Sequence, residues 1–177
     1  YPPAPAFLFQ RPVSYGPKVW PVEQDSNRYR RGIYTFRFRS VAYPMLVAFD
    51  APTGAASCVR RTNSTTPLQA LVTLNEPMSV EAAIGLGHQI LSEKNGIATA
   101  FERCTSRPPD KAELETLQAL FKNQEAHYTK NKEAAKELTT TYKPVTIDIS
   151  KHDPVKLAAA TAIGQALLNL DETISKN

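Results

Sequence analysis

After residue 65 the chain carries four helix-start signals in succession, and these constrain its fold more than any other feature. Thr66-Pro67-Leu68-Gln69 is a capping box with proline at the first helical position. The threonine hydroxyl can accept from the third amide of the helix, and the glutamine can reach back to the cap amide. Leu68, Leu71, Val72 and Leu74 supply an apolar face for this helix, which should stop near Asn75. Glu76-Pro77 opens a second helix with Val80, Ala83, Ile84, Gly87 and Leu91 along one stripe. Gly85 and Gly87 each cost about 1 kcal/mol in a helix interior, and close approach of a neighbouring backbone is the usual compensation. Asn95-Gly96 ends that helix, and Ile97, Phe101 and Cys104 begin a third. Asp110 with Glu113 makes the third start signal, and Leu114, Leu117, Phe121 and Tyr128 continue that helix. Asp153-Pro154 is the fourth, opening a helix with Leu157, Ala160, Ile163, Leu167, Leu170 and Ile174 on its face.

Between these signals, residues 129–143 are polar with a thin apolar face and read as a solvated helix end or a mobile loop. Residues 144–149 are too short to classify. The fold class is therefore mainly α, with an irregular proline- and arginine-rich N-terminal third packed on an array of about five helices. The expected division is an extended linker or arm over 1–28 and a single mainly helical domain over 29–177.

The N-terminal third differs in chemistry. Fourteen prolines stand against seven glycines, and Pro2, Pro3, Pro5, Pro12, Pro17 and Pro21 crowd the start. Residues 1–61 hold nine basic groups, eight of them arginine, against Glu23, Asp25 and Asp50, a net +6. The remainder carries −2, so the overall +4 conceals a strongly basic strip. Within Arg30 to Arg39, Tyr34, Phe36 and Phe38 alternate with Thr35, Arg37 and Arg39, a period of two that suits a half-buried strand. A short amphipathic helix is the alternative. Pro44 and Asp50-Ala51-Pro52-Thr53-Gly54 mark turns. The first residue is Tyr1, which reads as a fragment or a processed product. No apolar run approaches the roughly 20 residues needed to span a bilayer.

Candidate chemistry is sparse. His88, His127 and His152 lie on three separate segments with no nucleophile motif beside them, and no metal-ligand spacing occurs. His88 lies on or beside a packed stripe and suits a hydrogen-bonded structural role. Cys58 and Cys104 form no CxxC or CxxCH pattern, and Cys104 falls at buried helical spacing. A nucleic-acid partner would want basic residues and aromatics on a defined module, and no such motif surrounds the arginines. The best constellation is Arg30, Arg31, Tyr34, Asp50, Arg60 and Arg61. Arginine favours planar bidentate pairing with carboxylates, so Asp50 is expected to accept from one or two of these and pin the N-terminal third onto the helices. The other reading is a surface for an anionic ligand or a sugar. Thr66, Gln69 and Asn75 read as helix caps rather than ligands.

Several stretches taken in order carry a resemblance: Arg30-Arg31-Gly32-Ile33-Tyr34-Thr35-Phe36; Phe49-Asp50-Ala51-Pro52; Cys58-Val59-Arg60-Arg61 leading to Thr66-Pro67-Leu68-Gln69-Ala70-Leu71; Leu74-Asn75-Glu76-Pro77 with Glu81-Ala82-Ala83; and Ala166-Leu167-Leu168-Asn169-Leu170-Asp171-Glu172. The set resembles domain of unknown function 1553, a C-terminal domain of large secreted proteins from planctomycetes and related bacteria, over residues 28–174. The chain departs from it at Asn63, Ser64 and Thr65, where the family commonly has arginine, threonine and asparagine. The resemblance implies a periplasmic or secreted setting and a multidomain polypeptide tied to polysaccharide degradation. Any haem c would sit on an upstream cytochrome-like segment, with no cofactor in this chain. Dense fold signals beside the lack of any catalytic set point to a structural or interaction module rather than a catalyst by itself, with the upstream domains, a polysaccharide or a redox partner as its expected partners. The alternatives are a carbohydrate-binding or carbohydrate-oxidising module and a docking surface for an electron-transfer partner.

Overall fold

A computed structural model describes residues 1–9, 19–38, 41–60 and 64–175. Among them the architecture is mainly α, with eight α-helices and no strand. The chain divides into two compact units, Tyr1–Val72 and Thr73–Asn177.

The first unit is built on aromatic contacts. Residues 1–9 and 19–28, expected as a linker or arm, contribute to it directly. The Trp20 ring stacks on Phe9 at 5.2 Å and on Tyr43 at 5.9 Å, and Tyr1 meets it edge-on at 5.1 Å. Buried Trp and Tyr need partners for their polar tips. Here Trp20 Nε1 donates to the Pro2 carbonyl at 2.7 Å and the Tyr43 hydroxyl to the Pro3 carbonyl at 3.1 Å. The strand expected over Arg30 to Arg39 is replaced by a 3₁₀ turn, Gly32–Tyr34, and a lone bridge between Phe38 and Val41. Alternation alone gives no strand without a ladder partner, and Phe36 and Phe38 instead pack ring on ring, 5.1 Å apart. Arg39 lies outside the described residues. Helix α1, Pro44–Ala48, is a single turn opened by its proline. Helix α2, Pro67–Asn75, starts at the expected capping box: Gln69 N donates to Thr66 Oγ1 at 3.3 Å, and Thr66 N to Gln69 Oε1 at 3.1 Å.

The face of α2 is the reverse of the expected one. Leu68 and Leu71 are 69% and 57% exposed, whereas Gln69 is 2% exposed and Thr73 is also buried. Fixed hydrogen bonds decide this orientation: the Gln69 amide is held inward by three partners described below.

The second unit follows the sequence closely. Helix α3, Pro77–Ser92, is capped by Glu76, whose carboxylate accepts from Ser79 N at 3.2 Å. Helix α4 is Gly96–Thr105 and helix α5 is Lys111–Lys130, the latter opened by the Asp110–Glu113 box. Residues 129–143 were expected as a helix end or loop. They contain helix α6, Lys132–Thr141, capped by Asn131, with Ala135 and Thr139 buried against α7. A seam this narrow leaves little apolar signal in the sequence.

Helix α7, Pro154–Leu168, is the centre of the unit. Asp153 Oδ1 caps it by accepting from Val155 N and Lys156 N. It touches α3, α4, α5 and α6, and Leu157 through Thr161, Ile163, Gly164 and Leu167 are all buried. It stops at Leu168, so Leu170, the cap residue of a further short helix, and Ile174, within that helix, α8, Asp171–Ile174, do not continue its stripe. Burying Ile84, Leu157, Ile163 and Leu167 completely stabilises the unit by about 1.5–3 kcal/mol per side chain.

The approach of α3 to α7 depends on glycine from both sides. A Cβ on Gly87 would lie 3.0 Å from Thr161 N, and one on Gly164 would lie 2.5 Å from the Ala83 carbonyl oxygen. The glycine cost anticipated within α3 is thus offset at Gly87 by backbone proximity. Gly85 differs, since its Cβ would meet only the Ile147 side chain at 3.3 Å. Gly164→Ala should lower the stability of this unit by about 2–3 kcal/mol through overpacking. Gly85→Ala should be near neutral, because alanine recovers up to about 1 kcal/mol of helix propensity. Urea unfolding followed by circular dichroism tests the contrast, and equal losses would contradict it.

Candidate functional site

Of the six residues singled out in the sequence, the five that are described do not gather at one site. Asp50 sits just past α1 with φ of 55°, a left-handed conformation that aspartate tolerates better than most side chains. Its Oδ2 accepts from Ser64 N at 2.8 Å and from Ser64 Oγ at 2.6 Å. These two bonds hold its carboxyl below the usual carboxylate range. Among the described residues Asp50 has no arginine partner, and Arg61 lies outside them. Among the described residues the Asp50 carboxylate is thus held by a serine, which docks through backbone and side chain together.

Ser64 continues inward. Its hydroxyl oxygen accepts from Gln69 Nε2 at 3.3 Å, and the same amide nitrogen donates to the Ala48 carbonyl at 3.0 Å. With Thr66 N on Gln69 Oε1, one buried glutamine joins the end of α1, residue 64 and the start of α2. Thr66 and Gln69 are therefore caps, as expected, and Gln69 is also the hub of this lock.

The arginines lie outward. Arg30 Nε donates to Asn27 Oδ1 at 2.8 Å, and its guanidinium lies over the Tyr34 ring, 5.7 Å from the centroid. Tyr34 is 62% exposed, and Arg31 and Arg60 are exposed as well. Arg37, absent from the expected set, is the arginine that pins the Asp50–Gly54 turn: Nη1 donates to the Pro52 carbonyl at 2.7 Å and Nη2 to the Thr53 carbonyl. Gly54, at φ 69°, lets the guanidinium lie against its backbone. The structure thus brings together Arg30 with Tyr34, and separately Asp50 with Ser64 and Gln69.

Two features of the second unit had no signal in local sequence. Arg107 forms paired bonds to Glu113, at 2.9 and 2.7 Å, and to Glu172, at 2.9 and 2.8 Å, while stacking on Phe101. The guanidinium pulls Glu113 down to about 2 and also lowers Glu172, and both carboxylates raise Arg107. This clamp ties the α4–α5 connection to α8. The other feature is a ring contact, His152 Nε2 to His88 Nδ1, at 2.9 Å. A cleft of about 440 Å³ also opens between the end of α3, the start of α4 and α5, lined by Ile90, Ile97, Leu114 and Phe121. No sequence-predicted residue reaches it.

Cys104 is buried among Ile90, Phe101 and Leu117, as its spacing implied, and no disulfide joins it to the exposed Cys58. Among the described residues no group of three or more His, Cys, Asp or Glu is placed to hold a metal ion. No helix among them is long and apolar enough to cross a membrane.

The Gln69 lock gives a direct test against the arginine network. Gln69→Ala should lower the unfolding midpoint of the first unit by an amount equivalent to about 1–3 kcal/mol, since it strands the Ala48 carbonyl and the Ser64 hydroxyl. Arg60→Ala should leave that midpoint unchanged. Trp20, the one tryptophan of the chain, reports this by fluorescence, and a matching loss in Arg60→Ala would restore the arginine network.

No curated protein and no solved structure matches this chain. A family model does, over residues 3–121. That span takes in the N-terminal segment ahead of residue 28 and ends before α6, α7 and α8, so it does not reach Ala166–Glu172. Since it covers most of the chain, with the Asp50 turn, the Gln69 lock and the Glu76-Pro77 start inside it, the protein belongs to the family described as PSD1, protein of unknown function (DUF1553).

Proposed function

We propose that the chain is an interaction module of a larger secreted polypeptide, not a catalyst by itself, and that its first unit is the adhesive one. One observation carries this reading. Of the eleven large apolar side chains that stand exposed among the described residues, nine belong to Tyr1–Val72. Ile33 is 85% exposed and Val59 fully so, with Arg31 and Arg60 directly beside them. Scattered apolar residues need no explanation, but a concentration rimmed by one sign of charge is how protein-docking surfaces are built. The +6 charge of residues 1–61 favours an acidic partner face. The partner on this reading is an upstream domain of the same polypeptide, exported with it to the periplasm or beyond.

The lock beneath that surface supports the same role. Asp50, Ser64, Thr66 and Gln69 spend their hydrogen bonds on one another and on the Ala48 carbonyl. They serve to present the surface rather than to meet a substrate.

The test is association in trans between this chain and the remainder of its own polypeptide. Binding should weaken as salt rises from about 0.05 to 0.5 M, because exposed charges are screened within about a Debye length. Ile33→Asp with Arg31→Glu should weaken it at least about tenfold, the loss expected for hot-spot contacts. Turnover of a polysaccharide or oligosaccharide by the isolated chain would defeat the proposal.

A second reading rests on the Arg30–Tyr34 stack, an exposed aromatic face beside a planar cation, which suits a sugar ring or a sulfated glycan. Calorimetry with neutral and sulfated oligosaccharides should then show binding that Tyr34→Ala abolishes. Heat signals absent for both glycan classes, or retained in Tyr34→Ala, would eliminate it. Docking of a cytochrome on the basic strip is the redox form of the first reading and shares its salt dependence.

A further inference from the structure

Residues 143–153 join α6 to α7 without regular structure, yet they cover part of the core. Ile149 is 7% exposed, and it packs with Ile147 against Val80, Ile84 and Leu157. Pro144 is buried as well. This strap crosses one face of α3, where Gly85 leaves room for Ile147 and His88, one turn on, meets His152.

The His88–His152 contact is the strap's side-chain fastening to α3. At 2.9 Å between ring nitrogens, with the rings at 71°, it is a single N–H···N hydrogen bond. Such a bond holds one proton between two nitrogens, so one of the two must be unprotonated. If both rings are charged, the acceptor is lost and two cations face each other across that distance.

We propose that His88 and His152 form an acid-released latch, which holds the 143–153 strap over the Val80–Ile84–Leu157 cluster at neutral pH and frees it when both rings are protonated to imidazolium. The surroundings give the second proton no relief. Burial disfavours the charged form of His152 most, followed by His88 and then Lys151, and all three lower its affinity for a proton. Asp148, in the same strap, is engaged with Ser150, and the lysines acting on it are Lys151 and Lys143. Asp153 is occupied in capping α7. A histidine held below its unfolded value binds fewer protons folded than unfolded. Stability is therefore complete above the unfolded value of about 6.5 and falls as pH drops from there toward the lowered one.

The experiment is hydrogen exchange of the full chain at pH 7.5 and pH 5.5, read by mass spectrometry after correction for intrinsic rates. In the wild type, opening of residues 144–153 should increase at pH 5.5 by up to about tenfold, the limit set by a pH about one unit below the unfolded histidine value, while α4 and α5 stay protected. His152→Gln and His88→Gln each leave a single titrating ring and cannot set two cations face to face, so both should show a smaller pH response than the wild type. An unchanged wild-type strap, or the same increase in both variants, would overturn the latch. If either variant fails to fold, nitrogen-detected histidine NMR of the wild type decides. Coupled titration, with His152 the more acid, supports the proposal, and two rings titrating independently near their ordinary value refute it.

Discussion

The second unit depends on how closely α3 can approach α7. Backbone meets backbone at two places, with Gly87 under Thr161 and Gly164 over Ala83, and neither site admits a Cβ without movement. That proximity lets Ile84, Ile163, Leu157 and Leu167 bury completely. Ala158, Ala159 and Ala160 of α7 are completely buried as well. The seating of the helix ends follows from the same proximity. Thr73 Oγ1 donates to Asn169 Oδ1 at 2.8 Å, and Gln165 Nε2 to the Leu74 carbonyl at 3.3 Å, which sets the last turn of α2 beside the end of α7. The periphery is then fastened by polar pairs, the Arg107 clamp at one end and the histidine contact on the strap.

The first unit obeys a different logic. It has little aliphatic interior and is organised by flat rings and by backbone carbonyls with fixed donors. Proline-rich chain has few amides to spend and many exposed carbonyls. Trp20, Tyr43, Arg37 and Gln69 each supply a side-chain donor to one of them. A unit ordered in this way can keep Ile33, Tyr34 and Val59 outside, because its own cohesion does not need them.

What the sequence disclosed followed from locality. Capping boxes, prolines at helix starts and the periodicity of α3, α4 and α5 involve residues within four positions of one another, and they appear where expected. Gly87 was legible because an interior helical glycine demands a neighbour. The face of α2 was not. Leu68, Leu71 and Leu74 form a good stripe, but the orientation is set by Gln69 reaching Ala48, 21 positions away. At Asp50 charge complementarity pointed to arginine, whereas the partner found among the described residues is Ser64, which no charge pattern announces. His88 with His152 and Arg107 with Glu172 span 64 and 65 positions, and nothing local announces either pair. The broken final helix could have been suspected from Asn169, whose own amide ends α7 by bonding back to three carbonyls.

The central position of α7 bears on how the chain reaches its fold. Its partners α3, α4 and α5 are complete before Pro154 is made, so the faces they turn to α7 stay uncovered until that helix arrives. Long-range closure of this kind is slow, and it leaves the incomplete chain prone to association during synthesis. A ribosome that stalled before α7 would release a product with α3 bare along its whole inward side.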